Sequence, residues 1–301
     1  MTWFLYAVAA NVIWSICNHL DKFLLSRRGG EIGTLIIFSS LFGIFLIVPI
    51  LIFYPVVLTA PYLLRGAGIF AGLIGMAGIV LYLYALREEE ATLVVPWFQL
   101  VPIFAYLYGF LFLGERLSAP QLTGVALVIF GATGLSFDID SRVPHLKARP
   151  ILLMVCSAFF LAGTVTLFKY ISIQTDYWTA NFWSTVGEVG SGFLFLLVTR
   201  FREQFLEVFR SRVWRVFSAN ALNETLNLGA SLLFRVSILS APVALVSAAV
   251  TGLQPFLVFA SGILITVFMP RLGRENLTRK HLVHRGVFLL ITFIGTAYLN
   301  L

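Results

Sequence analysis

Apolar residues run along this chain in long blocks broken by short polar stretches. The blocks fall at about 2–25, 32–54, 63–86, 91–113, 119–137, 150–173, 177–199, 214–238, 241–269 and 286–300. A helix needs roughly 20 apolar residues to cross the hydrocarbon layer of a bilayer. The blocks are uniformly apolar and lack the two-residue alternation of membrane strands. Helices, which satisfy their own backbone hydrogen bonds, are therefore the expected spanning form. The pattern predicts an all-α membrane protein with ten transmembrane helices. The first block opens MTWFLYAVAA without a basic segment ahead of it, and so reads as a first span rather than a cleaved leader.

Most connections are short; the longest are 138–149 and 200–213. In the second, Phe201, Phe205, Phe209 and Val213 recur every four residues, with Arg202, Arg210 and Arg212 between them. That spacing predicts an amphipathic helix on the membrane surface, the alternative being an extension of a neighbouring span. Composition supports the membrane reading. Apolar residues make up 59% and charged residues 12%, against about 25% charged in soluble domains. The net charge of +7 does not point to nucleic acid, because the basic residues sit between the apolar blocks. Sixteen of them fall in the odd-numbered loops and three, Arg65, Arg116 and Arg235, in the even-numbered ones. This bias places the odd loops in the cytoplasm and both termini outside. Cys17 and Cys156 lie in separate blocks and read as buried thiols. No CxxC or Cys/His metal spacing, P-loop, HExxH or GxSxG site occurs, so no cofactor, metal or enzymatic chemistry is expected.

The chain divides near 138–149 into two five-span halves, 1–137 and 150–301. Lys22–Phe23 near the end of span one matches Lys169–Tyr170 near the end of span six. Span four, LVVPWFQLVPIF, matches span nine, LVSAAVTGLQPFLVF, in a mid-span glutamine and proline. Glu115 and Glu275, Leu117 and Leu277, and Leu122 and Leu282 keep one spacing of 160. An odd number of spans per repeat inverts one half relative to the other, which predicts two inverted five-helix repeats with a site between them.

The segment FLGERLSAPQLTGVALVIFGATGL, residues 112–135, preceded by YALREEEATLVVPWFQLVP, resembles the EamA-type drug/metabolite transporter superfamily. The resemblance extends over essentially the whole chain. The second half departs from it: it lacks GER and carries MPRLGREN before its glutamate. The resemblance implies a transporter in the bacterial cytoplasmic membrane, and it favours export of amino acids or amino-acid-derived compounds, including opine-type metallophores. The superfamily habit keeps the termini inside, opposite to the charge bias. The partners expected are a small-molecule solute, the lipid bilayer and, as coupling ion, the proton; a monomer or a homodimer fits equally. Uptake of a vitamin or nucleotide-like solute, and a lipid or polyprenyl-phosphate flippase, are the alternatives.

Polar side chains inside a membrane are costly, so each is a candidate for the transport path or for helix-to-helix glue. In span eight, Asn220, Asn223, Glu224 and Asn227 share one helical face. In span one, Asn11, Ser15, Asn18 and Lys22 form a similar stripe, flanked by His19 and Asp21. Asp21 and Lys22 also lie close enough to the boundary to face headgroup water. Asn18, Lys22, Gln99, Lys169, Asn223, Glu224, Asn227 and Gln254 are the substrate-binding candidates. Glu188, Glu224 and His19 are the proton-coupling candidates, with Lys169 or Asn181 as the structural partner expected for Glu188. Pro102 beside Gln99, and Pro255 beside Gln254, mark places where a helix can break and free a carbonyl for a solute. Trp97 and Trp183 read as interface anchors or packing residues, with stacking on a solute as the alternative, Glu115 as a helix cap or loop-ordering residue, and Gly68, Gly72 and Gly75 as packing glycines.

Overall fold

The computed structural model describes residues 2–25, 31–88, 94–136, 148–210, 214–268 and 279–299, and within them the chain is all helical. The helices are α1 Thr2–Leu25, α2 Ile32–Phe42, α3 Ile44–Phe53, α4 Tyr62–Glu88, α5 Val101–Leu113 and α6 Ala119–Ser136. After these come α7 Ala148–Gln174, α8 Tyr177–Leu197, α9 Thr199–Arg210, α10 Trp214–Leu239, α11 Val243–Phe268 and α12 Arg279–Tyr298. The segment Ile32–Phe53, made of α2 and α3 together, and the helices α4 and α7 are long and apolar enough to cross a bilayer on those grounds alone. Shorter apolar helices cover Trp97–Leu113, Ala119–Gly134, Val243–Gln254 and Gly286–Tyr298. The surface carries Phe45, Phe53, Leu63, Phe70, Phe112, Leu194 and Leu290 exposed, a skin that only lipid can solvate. This is a multi-pass membrane protein.

Local chemistry explains where the helices begin and end. Asp176 caps α8: its carboxylate accepts from the Trp178 and Thr179 amides at 2.8 and 3.0 Å, satisfying donors that have no intrahelical partner. Residues 114–121 work as a helix-turn-helix joint. Gly114, at φ +66°, ends α5 in the left-handed conformation that a side chain resists. Ser118 and Gln121 then form a reciprocal capping box that starts α6, with bonds of 3.0 and 3.3 Å. Between them Glu115 is left free to reach other helices.

Two helices depart from the simple ten-block expectation. Span two is interrupted at Gly43, where a Cβ would stand 2.7 Å from Thr185 Cγ2 of α8. Span four opens with a tight 3-10 stretch, Val95–Leu100, before α5. By contrast α11 runs through Pro255 as one helix. Helix α9 forms as the every-fourth-residue pattern requires and turns 99° from α8. Part of its apolar face turns to the protein: Phe201 and Phe205 pack, partly buried, against the cluster that contains Ile32, Ile36 and Leu83, while the Phe209 side chain and Val213 lie outside the described residues. Gln204 caps α2, its Oε1 accepting from Gly33 N at 2.9 Å and its carbonyl from Thr34 Oγ1 at 3.0 Å. Arg202, Glu203 and Leu206 face outward.

Helix α4 packs closely against both α7 and α8. Glycines permit it: a Cβ on Gly68 would come 2.5 Å from Trp183 Cβ, and one on Gly72 would come 2.5 Å from Glu188 N. With no hydrophobic drive between helices in lipid, such close approach is what holds them. Gly72→Leu is expected to lower stability by about 1–3 kcal/mol through overpacking. The check is the thermal midpoint of detergent-purified protein; a midpoint equal to that of the parent contradicts the contact.

Candidate functional site

Three polar clusters lie between the helices. The first is acidic. Asn223 Nδ2 on α10 donates to Asp21 Oδ1 on α1 at 2.7 Å, and Ser39 Oγ on α2 donates to Glu224 Oε2 at 2.9 Å. One turn on, Trp14 Nε1 donates to Asn227 Oδ1 at 2.8 Å, and Cys17 Sγ lies 3.8 Å from the Asn223 carbonyl. Glu224 is within electrostatic reach of both Asp21 and Glu188. The 3.6-residue period of α10 accounts for the grouping, because it turns positions 220, 223, 224 and 227 toward α1 and α2. Asp21 faces this cluster rather than headgroup water. Asn220 and Asn223 are each 1% exposed, and the Oδ1 of each has no partner among the described residues.

The second cluster is a buried ion pair. Arg235 Nη2 on α10 donates to Glu188 Oε1 on α8 at 2.7 Å, while Nη1 donates to Asn181 Oδ1 at 2.8 Å. The guanidinium also lies over the Phe168 ring at 5.2 Å. This corrects two expectations. Arg235 belongs to a helix rather than to an even loop, as does Arg65 in the first turn of α4, leaving Arg116 as the loop residue of the three. Glu188 takes Arg235 as its partner, not Lys169 or Asn181. The signal was in the sequence: an arginine inside the apolar run SLLFRVSIL is costly unless it is paired.

The third cluster holds Lys169. Its Nζ sits 2.6 Å from Glu115 Oε1 and donates to the Ala241 carbonyl at 2.6 Å. Glu115 Oε2 accepts from Val243 N at 2.9 Å, capping α11. The expected role of Glu115 as a cap is what the structure shows, on a helix distant in sequence.

Other candidates act as glue. Gln99 Nε2 donates to the Thr251 carbonyl at 2.9 Å, and Thr251 Oγ1 lies 3.2 Å from Gln99 Oε1. Proline at 255 has no N–H for the carbonyl four residues back, so Gln99 takes the acceptor that Pro255 leaves open. Asn11 Nδ2 binds the neighbouring Val250 carbonyl at 2.7 Å. Asn18 and Gln254 are half-buried and without a hydrogen-bond partner among the described residues. The side chains of His19 and Lys22, and all of Glu275, lie outside the described residues. Among those described, no group of three or more His, Cys, Asp or Glu is arranged to hold a metal ion.

Helices of this length and apolarity, with charged pairs and amides turned inward, define a multi-pass membrane protein with a polar interior. The chain belongs to the EamA-like transporter family, whose profile matches residues 1–137. An uncharacterized protein of Methanocaldococcus jannaschii is 36% identical over 100 residues, 33% of this chain and 72% of that one. An uncharacterized transporter of Clostridium kluyveri is 28% identical over 148 residues, 47% of this chain and 46% of that relative. A solved crystal structure at 15% identity superposes with a TM-score of 0.68 over 98% of this chain and 95% of its own, so the fold is shared end to end.

Proposed function

We propose that this protein is a secondary transporter of the bacterial cytoplasmic membrane that exports a small polar amino-acid-derived metabolite, an amino acid or an opine-type metallophore. It works through ten spans in two inverted five-helix repeats, 1–137 and 150–301, with both termini outside. The observation that carries this reading is the acidic cluster: Asp21, Ser39, Asn223 and Glu224, from three helices, meet inside the bundle. Side chains this polar are costly in an apolar interior, and a solute path through the bundle accounts for two carboxylates gathered there without a cation among the described residues.

The packing pattern supports the repeat. Exchanging each span for the one five further on turns the pairing of α4 with α7 into that of α10 with α1, and both are extensive. The same exchange turns α5 with α7 into α11 with α1, again both extensive, and maps α6–α12 and α5–α11 onto themselves. An inverted repeat requires this correspondence. The correspondence is partial: α6 packs on α11 with no matching extensive contact between α5 and α12 among the described residues, and α4 packs closely on α8 whereas its counterpart, α10 against α2, is loose. Glu224 and Ser39 sit at that loose seam, where a solute can reach them.

Untargeted metabolomics of a deletion strain, comparing cells with medium, tests the direction: the exported solute accumulates inside. Altered lipids with no solute change point instead to a flippase. In proteoliposomes, Glu224→Gln and Asn223→Ala are expected to lower flux of that solute at least roughly tenfold, the loss of one charge-assisted hydrogen bond, with unchanged abundance. Full flux in both variants moves the site elsewhere.

A further inference from the structure

Resting on that reading, we infer that the Asp21–Glu224 cluster is an ammonium subsite: it recognises the protonated amine of the solute, and the solute's carboxylate is dispensable for binding. Hydrogen-bond supply and demand are unbalanced at this cluster. Asp21 receives one bond, from Asn223 Nδ2, and Glu224 receives two, from the Ser39 hydroxyl and from Asn227, both neutral donors. Among the described residues no cation pairs with either carboxylate, whereas Glu115 and Glu188 each have one. The amide of Asn223 is turned so that its nitrogen serves Asp21; its carbonyl oxygen, 1% exposed, is left beside that carboxylate without a donor. Asn220 Oδ1, one turn away on the same face, is equally buried and equally short of a donor. Carboxylate and amide oxygens on one helix face call for a ligand with several N–H donors and a positive charge, which is an ammonium group.

A bare metal ion fits worse. Asn223 presents an N–H toward Asp21, and Ser39 an O–H toward Glu224, so donors occupy directions a metal ion needs. Half-buried Trp14, Tyr82 and Phe98 stand nearby: Trp14 is bonded to Asn227, Tyr82 feels the Asp21 charge, and Phe98 lies 5.0 Å from Tyr82. They supply an apolar and cation–π wall for an organic amine. Among the described residues, the two inward-facing cations on neighbouring helices are already committed. Arg235 holds Glu188 and Asn181, and Lys169 holds Glu115 and the Ala241 carbonyl.

Three ligands of one skeleton test this on full-length protein in lipid nanodiscs: 2-phenylethylamine, 3-phenylpropionate and 2-phenylethanol, titrated by tryptophan fluorescence. The amine is expected to bind roughly tenfold to a hundredfold tighter than either of the others. Glu224→Gln and Asp21→Asn should each remove that preference while keeping the ligand-free thermal midpoint. A measurement on the parent protein guards against variants that fail to fold: 2-phenylethylamine should protect Asp21 and Glu224 from an apolar carbodiimide, read by mass spectrometry. Equal binding of the three ligands, an amine preference that survives in both folded variants, or labelling that the amine leaves unchanged overturns the assignment. So does equal protection by sodium or calcium alone, which makes the cluster a metal site. Amine binding without flux of any solute overturns the transporter reading alone; flux with amine-indifferent binding overturns the ammonium subsite alone.

Discussion

Lys169→Met is expected to lower stability by about 3–5 kcal/mol, the usual cost of leaving one half of a buried ion pair behind. Lys169 and Glu115 have side chains only 9% and 12% exposed. Removing the ammonium leaves Glu115 with a single bond, to Val243 N, and the Ala241 carbonyl with no donor. Glu115→Gln should cost less, because an amide oxygen can still accept from Val243 N. The double variant Lys169→Met/Glu115→Gln removes both charges and should recover more than half of the loss. The measurement is the thermal midpoint and monodispersity of detergent-purified protein. Single variants as stable as the parent would show that these charges do not tie the three turns together. The pair joins the α5–α6 turn, the end of α7 and the α10–α11 turn, so transport should fall with folding in Lys169→Met and return with it in the double variant.

How much of this was legible in the sequence differs between helices and contacts. The long helices follow from apolar block length, and α9 from phenylalanines every four residues, because these depend on local periodicity. The joint at 114–121 was visible as GERLSAPQ, since Gly, Ser and Gln there each act within a few residues. The partners of the buried polar groups were not visible. Gln99 and Thr251 are 152 positions apart, and Glu115 and Val243 are 128 apart. Nothing in a single sequence relates such positions. Arg235 was misplaced because a basic residue four positions from a helix end resembles a loop residue until its counter-ion on another helix is seen. Asp21 was under-read for the same reason: its place in the first block matched the membrane boundary, while the orientation of α10 brings Asn223 to it. The amide stripe of span eight was legible as a face, but which members bind helices and which await a ligand is decided by α1 and α2.

Arg235→Met should be as costly as the loss of Lys169, about 3–5 kcal/mol, since it strands Glu188 and removes the donor to Asn181. Glu188→Gln should be milder: a glutamine oxygen can still accept from the guanidinium, although the buried positive charge loses its counter-charge. What these variants do to coupling decides between two roles for Glu188. A carboxylate held at 2.7 Å by an arginine has its charge matched without a proton. Glu224 has only neutral partners among the described residues, the Ser39 hydroxyl at 2.9 Å and Asn227. We therefore expect Glu188→Gln/Arg235→Gln, which removes both charges together, to regain stability and to transport solute against its gradient when a pH gradient is imposed on proteoliposomes. Glu224→Gln should fold but lose that uphill movement. The opposite result, a stable double variant that exchanges solute only downhill and ignores uncouplers, would make Glu188 the coupling carboxyl and Arg235 the group that resets it.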